Sequence, residues 1–170
     1  MKILNQLTHY NTNFNKRTFP ITLVCENVTK APNIGSIFRI ADAFGIEKLI
    51  LCGERIPIGR KMAKTSRATE KVVNFEVNDN ALDVVKNLKN ENYSVISLEI
   101  TSNSKPIHAF QFSNKKPIAL IIGDENFGIS KSVLKLSDSV IHIEMFGHNS
   151  SMNVGQAANI ALYEITKQII

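Results

Sequence analysis

Three clusters of polar and glycine residues stand where apolar runs end, and together they could carry chemistry. The first is Asn33-Ile34-Gly35 with Arg39, the second Gly123-Asp124-Glu125-Asn126-Phe127-Gly128, the third Ser151-Met152-Asn153 after Gly147. An arginine near amides can grip a phosphate in a bidentate fork. A carboxylate at the end of a buried strand, as at Glu125, needs a partner and can orient one. Taken singly, each cluster also has a structural reading. Asn33 and Asn153 would cap helices, Gly123 and Gly128 would form a tight turn, and Arg39 would pair with Asp42 on the helix surface. No GxGxxG follows the first apolar run and no GxxxxGK[ST] occurs, which disfavours an ordinary dinucleotide-binding domain or a P-loop enzyme.

The elements that must position these clusters follow from periodicity. Residues 21–25, 46–52, 72–77, 93–100, 118–122 and 140–143 are short apolar runs of the kind that form strands buried on both faces. Helical spacing appears in Ile34, Ile37, Phe38, Ala41 and Phe44, entered through Pro32 and Asn33 and stopped by Gly45. It appears again after Asp79, near 130–136, and from Asn153 to the end. This alternation predicts an α/β fold with a mainly parallel sheet covered by helices on both faces. If the strands before the second and third clusters are parallel neighbours, both turns open on one sheet edge, where open α/β sheets hold ligands. The last helix carries Val154, Ala158, Ala161, Leu162, Ile165 and Ile169 on one stripe, with Ile160 and Tyr163 off it. A helix apolar on two sides predicts a two-fold subunit interface.

With 170 residues, one domain over 20–170 behind an N-terminal arm, 1–19, is expected. Lys and Arg number 20 against 15 Asp and Glu, a net charge of +5 that favours a polyanionic partner. Residues 53–71 show neither period and concentrate Arg55, Arg60, Lys61, Lys64, Arg67 and Lys71. Together with Lys16 and Arg17 in the arm, Arg60, Lys61, Lys64 and Arg67 are candidates for tracking the phosphates of such a partner, which the family resemblance given below makes RNA. Cys25 and Cys52 lack CxxC spacing, and no apolar run is long enough for a bilayer or a signal core, so a cytoplasmic protein is expected. His142 alternates with Ile141 and Ile143 on a strand, His148 sits in a loop with no Cys or carboxylate at ligand spacing, and no metal is expected.

Taken together, N-x-G-x-x-x-R, G-x-E-x-x-G and M-x-G-x-x-S-x-M-N-V-x-x-A-x-x-x-x-x-Y-E resemble the three motifs of the SpoU/TrmH family of RNA ribose 2′-O-methyltransferases, in the SPOUT superfamily. The resemblance covers residues 20 to 165 with motif order preserved. Glu144 stands where the family usually has proline, and Met152 and Gly155 where it has leucine and serine. The resemblance implies a C-terminal deep trefoil knot, S-adenosyl-L-methionine as cofactor, and a homodimer through the C-terminal helix. It also implies Arg39 as the catalytic arginine, with Asn33, Glu125, Ser151 and Asn153 around it. The adenosine would lie among Ile121, Gly123, Ile143, Met145, Gly147 and Met152, held largely by main-chain groups.

The expected activity is RNA ribose 2′-O-methylation, on tRNA in preference to rRNA. Family members acting on rRNA often carry an extra N-terminal RNA-binding domain, for which 20 residues are too few. Within tRNA, a D-loop guanosine and the wobble position stay open. The alternatives are an rRNA methyltransferase, a non-catalytic RNA-binding dimer of the same fold, and a small-molecule methyltransferase in which the basic segment is incidental.

Overall fold

A computed structural model describes residues 5–8 and 11–170. Strands β1 (Phe19–Glu26), β2 (Ile46–Cys52), β3 (Phe75–Asn78), β4 (Ser94–Leu98), β5 (Lys105–Pro106), β6 (Ile118–Ile122) and β7 (Ser139–His142) form one sheet in the order β3-β2-β1-β6-β4-β7-β5. Every neighbouring pair is parallel. The helices are α1 (Ala31–Ala43), α2 (Arg60–Ser66), α3 (Ala81–Asn90), α4 (Lys131–Leu136) and α5 (Val154–Ile169).

Side chains alternate across the strands and feed two separate cores. Ile21, Leu23 and Cys25 of β1 join Ile118, Leu120 and Ile122 of β6 beneath α1 and α5. On the other face Val24, Ala119 and Ile121 pack with Val84, Val85 and Leu88 of α3 and Val133 of α4. Burial on both faces is why these strands read as unbroken apolar runs. Among the described residues no helix is long and apolar enough to cross a membrane.

Several expected boundaries move. Segment 53–71 is not irregular throughout: it holds α2 and a 3₁₀ turn at Thr69–Lys71. Only Met62 and Ser66 of α2 are buried, too few apolar positions to reveal a period. The turn displaces the start of β3 from 72 to 75. Helix α1 begins at Ala31, with Lys30 as its N-cap and Asn33 inside its first turn. Asn80, not Asp79, caps α3, its side chain accepting from the Leu82 and Asp83 N–H groups. The two-residue β5 lies in what reads as a polar connection.

Candidate active site

Because the sheet is parallel, the chain leaves β4, β6 and β7 on the same edge, and the segments that follow enclose a cavity of about 590 Å³. Apolar walls come from Leu98, Ile122, Ile143, Met145 and Met152; Gly123, Gly128, Thr101 and Ser151 supply small and polar surface.

The turn after β6 is held closed by its own residues and by two carboxylates from neighbouring strand ends. Asp124 Oδ1 accepts from the Asn126 and Phe127 N–H groups at 2.7 and 3.1 Å. Glu99 accepts from the Ile129 N–H at 3.0 Å, and Glu26 accepts from the Ser130 N–H at 2.9 Å. Gly128 adopts φ +65°, where a side chain is strained, and a Cβ there would come within 2.4 Å of Glu99 Oε2. A Cβ on Gly123 would stand 2.3 Å from the Gly128 carbonyl carbon and 2.5 Å from the Ile129 nitrogen. Gly123 therefore allows main chain to approach main chain beside the cavity, and Gly128 leaves room for the Glu99 carboxylate.

Glu125 projects from this turn into a hydrogen-bonded cluster that joins all three sequence motifs. Its Oε1 accepts from Asn33 Nδ2 at 2.8 Å and from Asn153 Nδ2 at 2.9 Å, while Asn153 Nδ2 also reaches Asn33 Oδ1 at 3.0 Å. Lys30 forms an ion pair with Oε2. The Lys30 hydrogen bond, with that from Asn33, holds the Glu125 carboxyl below its ordinary pKa, and the same contact raises the Lys30 ammonium. Asn153 also caps α5, its Oδ1 accepting from the Gly155 and Gln156 N–H groups. The carboxylate thus lies near a helix N-terminus, where negative charge is favoured.

The sequence expectations separate at this point. Gly123, Ile143, Met145, Met152, Ser151 and Glu125 line the cavity, and Asn33 and Asn153 bind Glu125. Ile121 does not line it. Its side chain points into the core under α3 and α4, because strand alternation turns Ile122 toward the cavity instead. Gly147 is also off the wall and exposed, with nothing within 4 Å of an added Cβ. Arg39 is exposed on α1; it does not line the cavity, shares no hydrogen bond with the Glu125 cluster, and forms no ion pair with Asp42 among the described residues.

Arg60, Lys61, Lys64 and Arg67 are exposed along α2 and at its C-cap. This helix docks closely on α1, where a Cβ on Gly35 would lie 2.5 Å from the Met62 carbonyl oxygen. Lys16 and Arg17 stand elsewhere, in a hollow with Phe44, Val72 and Tyr163 that none of the four α2 cations lines. Glu144 is absent from the cavity wall; its Oε2 is 3.5 Å from His108 Nδ1.

Lys30, Glu26 and Glu99 escaped the sequence reading. The two carboxylates end or follow strands, as Glu125 does, and that shared placement is the signal that could have marked them. Lys30 precedes a helix without any motif around it.

The profile of the SpoU rRNA methylase family matches residues 20–163. The chain belongs to this family. As a SpoU protein it is 28% identical over 155 residues to the Escherichia coli K12 tRNA (guanosine(18)-2′-O)-methyltransferase, covering 90% of this chain and 66% of the relative. The chain therefore spans about two thirds of that relative's length. The A. aeolicus TrmH/SpoU tRNA modifying enzyme superposes with a TM-score of 0.80 at 27% identity, covering 90% of this chain and 77% of the other. The SpoU methyltransferase AviRb from Streptomyces viridochromogenes, crystallised with AdoMet, gives 0.78 at 27% identity, covering 89% and 60%. The seven-stranded parallel sheet is thus the SpoU fold.

Proposed function

We propose that this protein is an S-adenosylmethionine-dependent RNA ribose 2′-O-methyltransferase that acts on tRNA as a cytoplasmic homodimer. The observation that carries the reading is the 590 Å³ cavity at the strand ends with the Asn33, Glu125 and Asn153 cluster beside it. The volume falls within the about 300–1,000 Å³ of small-molecule sites. Apolar side chains around glycine main chain suit an adenosine, so Leu98, Ile122, Gly123, Ile143, Met145 and Met152 would hold the cofactor. Bound there, S-adenosylmethionine supplies a methyl group made electrophilic by its sulfonium.

The protein's own residues must then fix a ribose hydroxyl in line with that methyl and manage its proton. Lys30 keeps Glu125 ionised, and Glu125 in turn holds the Asn33 and Asn153 amides in one orientation toward the substrate ribose and phosphate. A guanidinium holds its proton too firmly to make Arg39 a good base. Its role is a bidentate grip on the phosphate next to the target ribose. Arg39 does not line the cavity of its own chain, which favours action in the second subunit's site.

Three further observations support parts of this reading. Ile160 and Tyr163 are 38% and 59% exposed on α5 and would be covered by a two-fold contact. The parallel run of β6, β4 and β7 brings the segments after β6 and β7 to one edge, as a knotted C-terminal segment requires. The exposed cations of α2 offer a path for RNA phosphates. tRNA is preferred because the E. coli relative and the A. aeolicus structure are both named for tRNA; the family's own description favours rRNA as the second reading.

The test is incubation with methyl-labelled S-adenosylmethionine and, separately, unmodified tRNA and rRNA, with Arg39→Ala in parallel. Label in tRNA that resists alkali at a single dinucleotide and disappears in the variant is the expected result. Label in rRNA alone would replace the substrate; no label in either, with cofactor binding intact by calorimetry, would overturn the activity.

A further inference from the structure

The two most exposed large apolar side chains among the described residues are phenylalanines on two of the three segments that enclose the cavity. Phe127 is 91% exposed in the turn after β6, and Phe146 is 93% exposed in the segment after β7. Phe127 lines the cavity itself; Phe146 directly follows Met145, which also lines it. An aromatic ring left in water gives up the burial that is its usual contribution to folding. The turn does not need one. The Phe127 N–H donates to Asp124 Oδ1, and the Gly128 N–H to the Asp124 carbonyl at 2.9 Å, so the geometry is set by the turn's own main-chain N–H groups and the Asp124 residue, without the Phe127 ring. A rigid turn thus presents a solvated ring at the cavity mouth.

A cation shares the wall with the first ring: Lys131 lines the cavity together with Phe127. Exposed aromatics interleaved with cations are what single-stranded nucleic acid needs, because bases stack on rings while ammonium groups follow the phosphates. A ribose reached by the cavity belongs to a nucleotide pulled out of its neighbours' stack, and its base then lacks a stacking partner.

We propose that Phe127 and Phe146 form a nucleobase-stacking subsite at the mouth of the cavity, whose ligand is an unstacked base of the RNA substrate. The subsite rests on the RNA reading above. It gives the rings a role in holding the strand, distinct from the phosphate contacts of Arg39 and α2.

The sequence contains no tryptophan, so Phe127→Trp and Phe146→Trp each introduce a single fluorescent reporter. Addition of unmodified bulk tRNA should quench both indoles in parallel with binding. Phe127→Leu and Phe146→Leu should each weaken tRNA binding roughly 5- to 150-fold, the range for losing one base–aromatic stack, while Phe127→Tyr restores most of it. The loss should fall on the KM for RNA more than on kcat at saturating RNA. Leucine variants that bind tRNA as the parent does, in a parent that binds and methylates it, overturn the subsite and leave the RNA reading standing. A leucine variant whose solution mass falls from two chains to one assigns the rings to contact between copies and overturns it too. A parent that binds neither tRNA nor rRNA refutes the RNA reading, and the subsite with it; one that binds rRNA alone moves the same titrations to rRNA, where leucine variants binding as the parent does overturn the subsite.

Discussion

Asn153→Asp separates two roles that one side chain performs. The Oδ1 atom caps α5 through Gly155 and Gln156, while Nδ2 donates to Asn33 and Glu125. Aspartate keeps the cap, and a carboxylate at a helix N-terminus is at least as favourable there. It loses both donations and sets an oxygen where a nitrogen now lies 2.9 Å from Glu125 Oε1. Two like charges 4 Å apart repel by about 1 kcal/mol at the dielectric of water and about 4 kcal/mol at an effective dielectric of 20. The Glu125 side chain is 19% exposed and Lys30 offsets part of its charge, so a penalty of about 2 kcal/mol is expected at pH 8. Asn153→Ala removes the cap instead, for about 1 kcal/mol.

The pH dependence distinguishes the two variants. In the parent, Glu125 is held below its ordinary range by Lys30 and Asn33. Its stabilisation is therefore present above the unfolded value of about 4.3 and is lost as pH falls through the lower folded value. In Asn153→Asp the adjacent carboxyls compete for a proton, so one is raised above its unfolded value. That penalty is full above the raised value and disappears as pH falls to about 4. Urea unfolding from pH 8 to pH 4 should show the Asn153→Asp deficit shrinking and the Asn153→Ala deficit nearly flat. Equal, flat deficits for both variants would refute the coupling of Asn153 to Glu125.

Arg39→Ala should lower kcat/KM for RNA by more than about 100-fold while changing unfolding free energy by less than about 0.5 kcal/mol, as expected for an exposed residue; a stability loss of several kcal/mol would make its role structural. Gly123→Ala should destabilise by about 1–3 kcal/mol and abolish cofactor binding by calorimetry, since the added Cβ meets the Gly128–Ile129 peptide. Gly147→Ala, with nothing near its Cβ, should leave stability unchanged. Replacing Arg60, Lys61 and Lys64 together by alanine should reduce the slope of log affinity for RNA against log salt by about 2 to 3, and an unchanged slope would remove α2 from the RNA path. Burial pushes the Cys52 thiol up to about 12 and raises Cys25 as well. Neither should react with iodoacetamide at pH 8 until urea unfolds the chain; rapid alkylation of the native protein would contradict that burial.

The central strands and the site edge were legible because burial on both faces writes itself as uninterrupted runs such as 118–122, and because parallel strands send their following turns to one side. Residues 46–52 are the strand the pattern predicts. Asn153 was readable as a cap because it directly precedes a long apolar stripe. Asn33 was not, since Pro32 and Asn33 sit within the first turn of α1 and Lys30 offers no side-chain cap. Helix α2 was invisible because it buries only two of its seven residues against α1. Ile121 and Ile122 show what a run of identical character hides: strand periodicity assigns them to opposite faces, but a run of five apolar residues carries no mark of which face meets the ligand. The Lys30 pair with Glu125 depends on a fold that joins positions far apart in sequence, and no local pattern announces it.

The place of β6 in the sheet constrains how the chain folds. Strand β1 pairs with β2, its near neighbour in sequence, but its other edge is completed only by β6, with Ile21 opposite Ile118, about 100 residues away. During synthesis β1, α1 and β2 can associate early, yet the middle of the sheet stays open until residue 122 has emerged. Until then β1 exposes unpaired main chain beside Ile21, Leu23 and Val24, an edge open to mispairing. Closing so long a loop makes refolding slow compared with a protein of local contacts. The same late strand leads straight into the Glu125 turn, so the site is assembled only when the sheet closes.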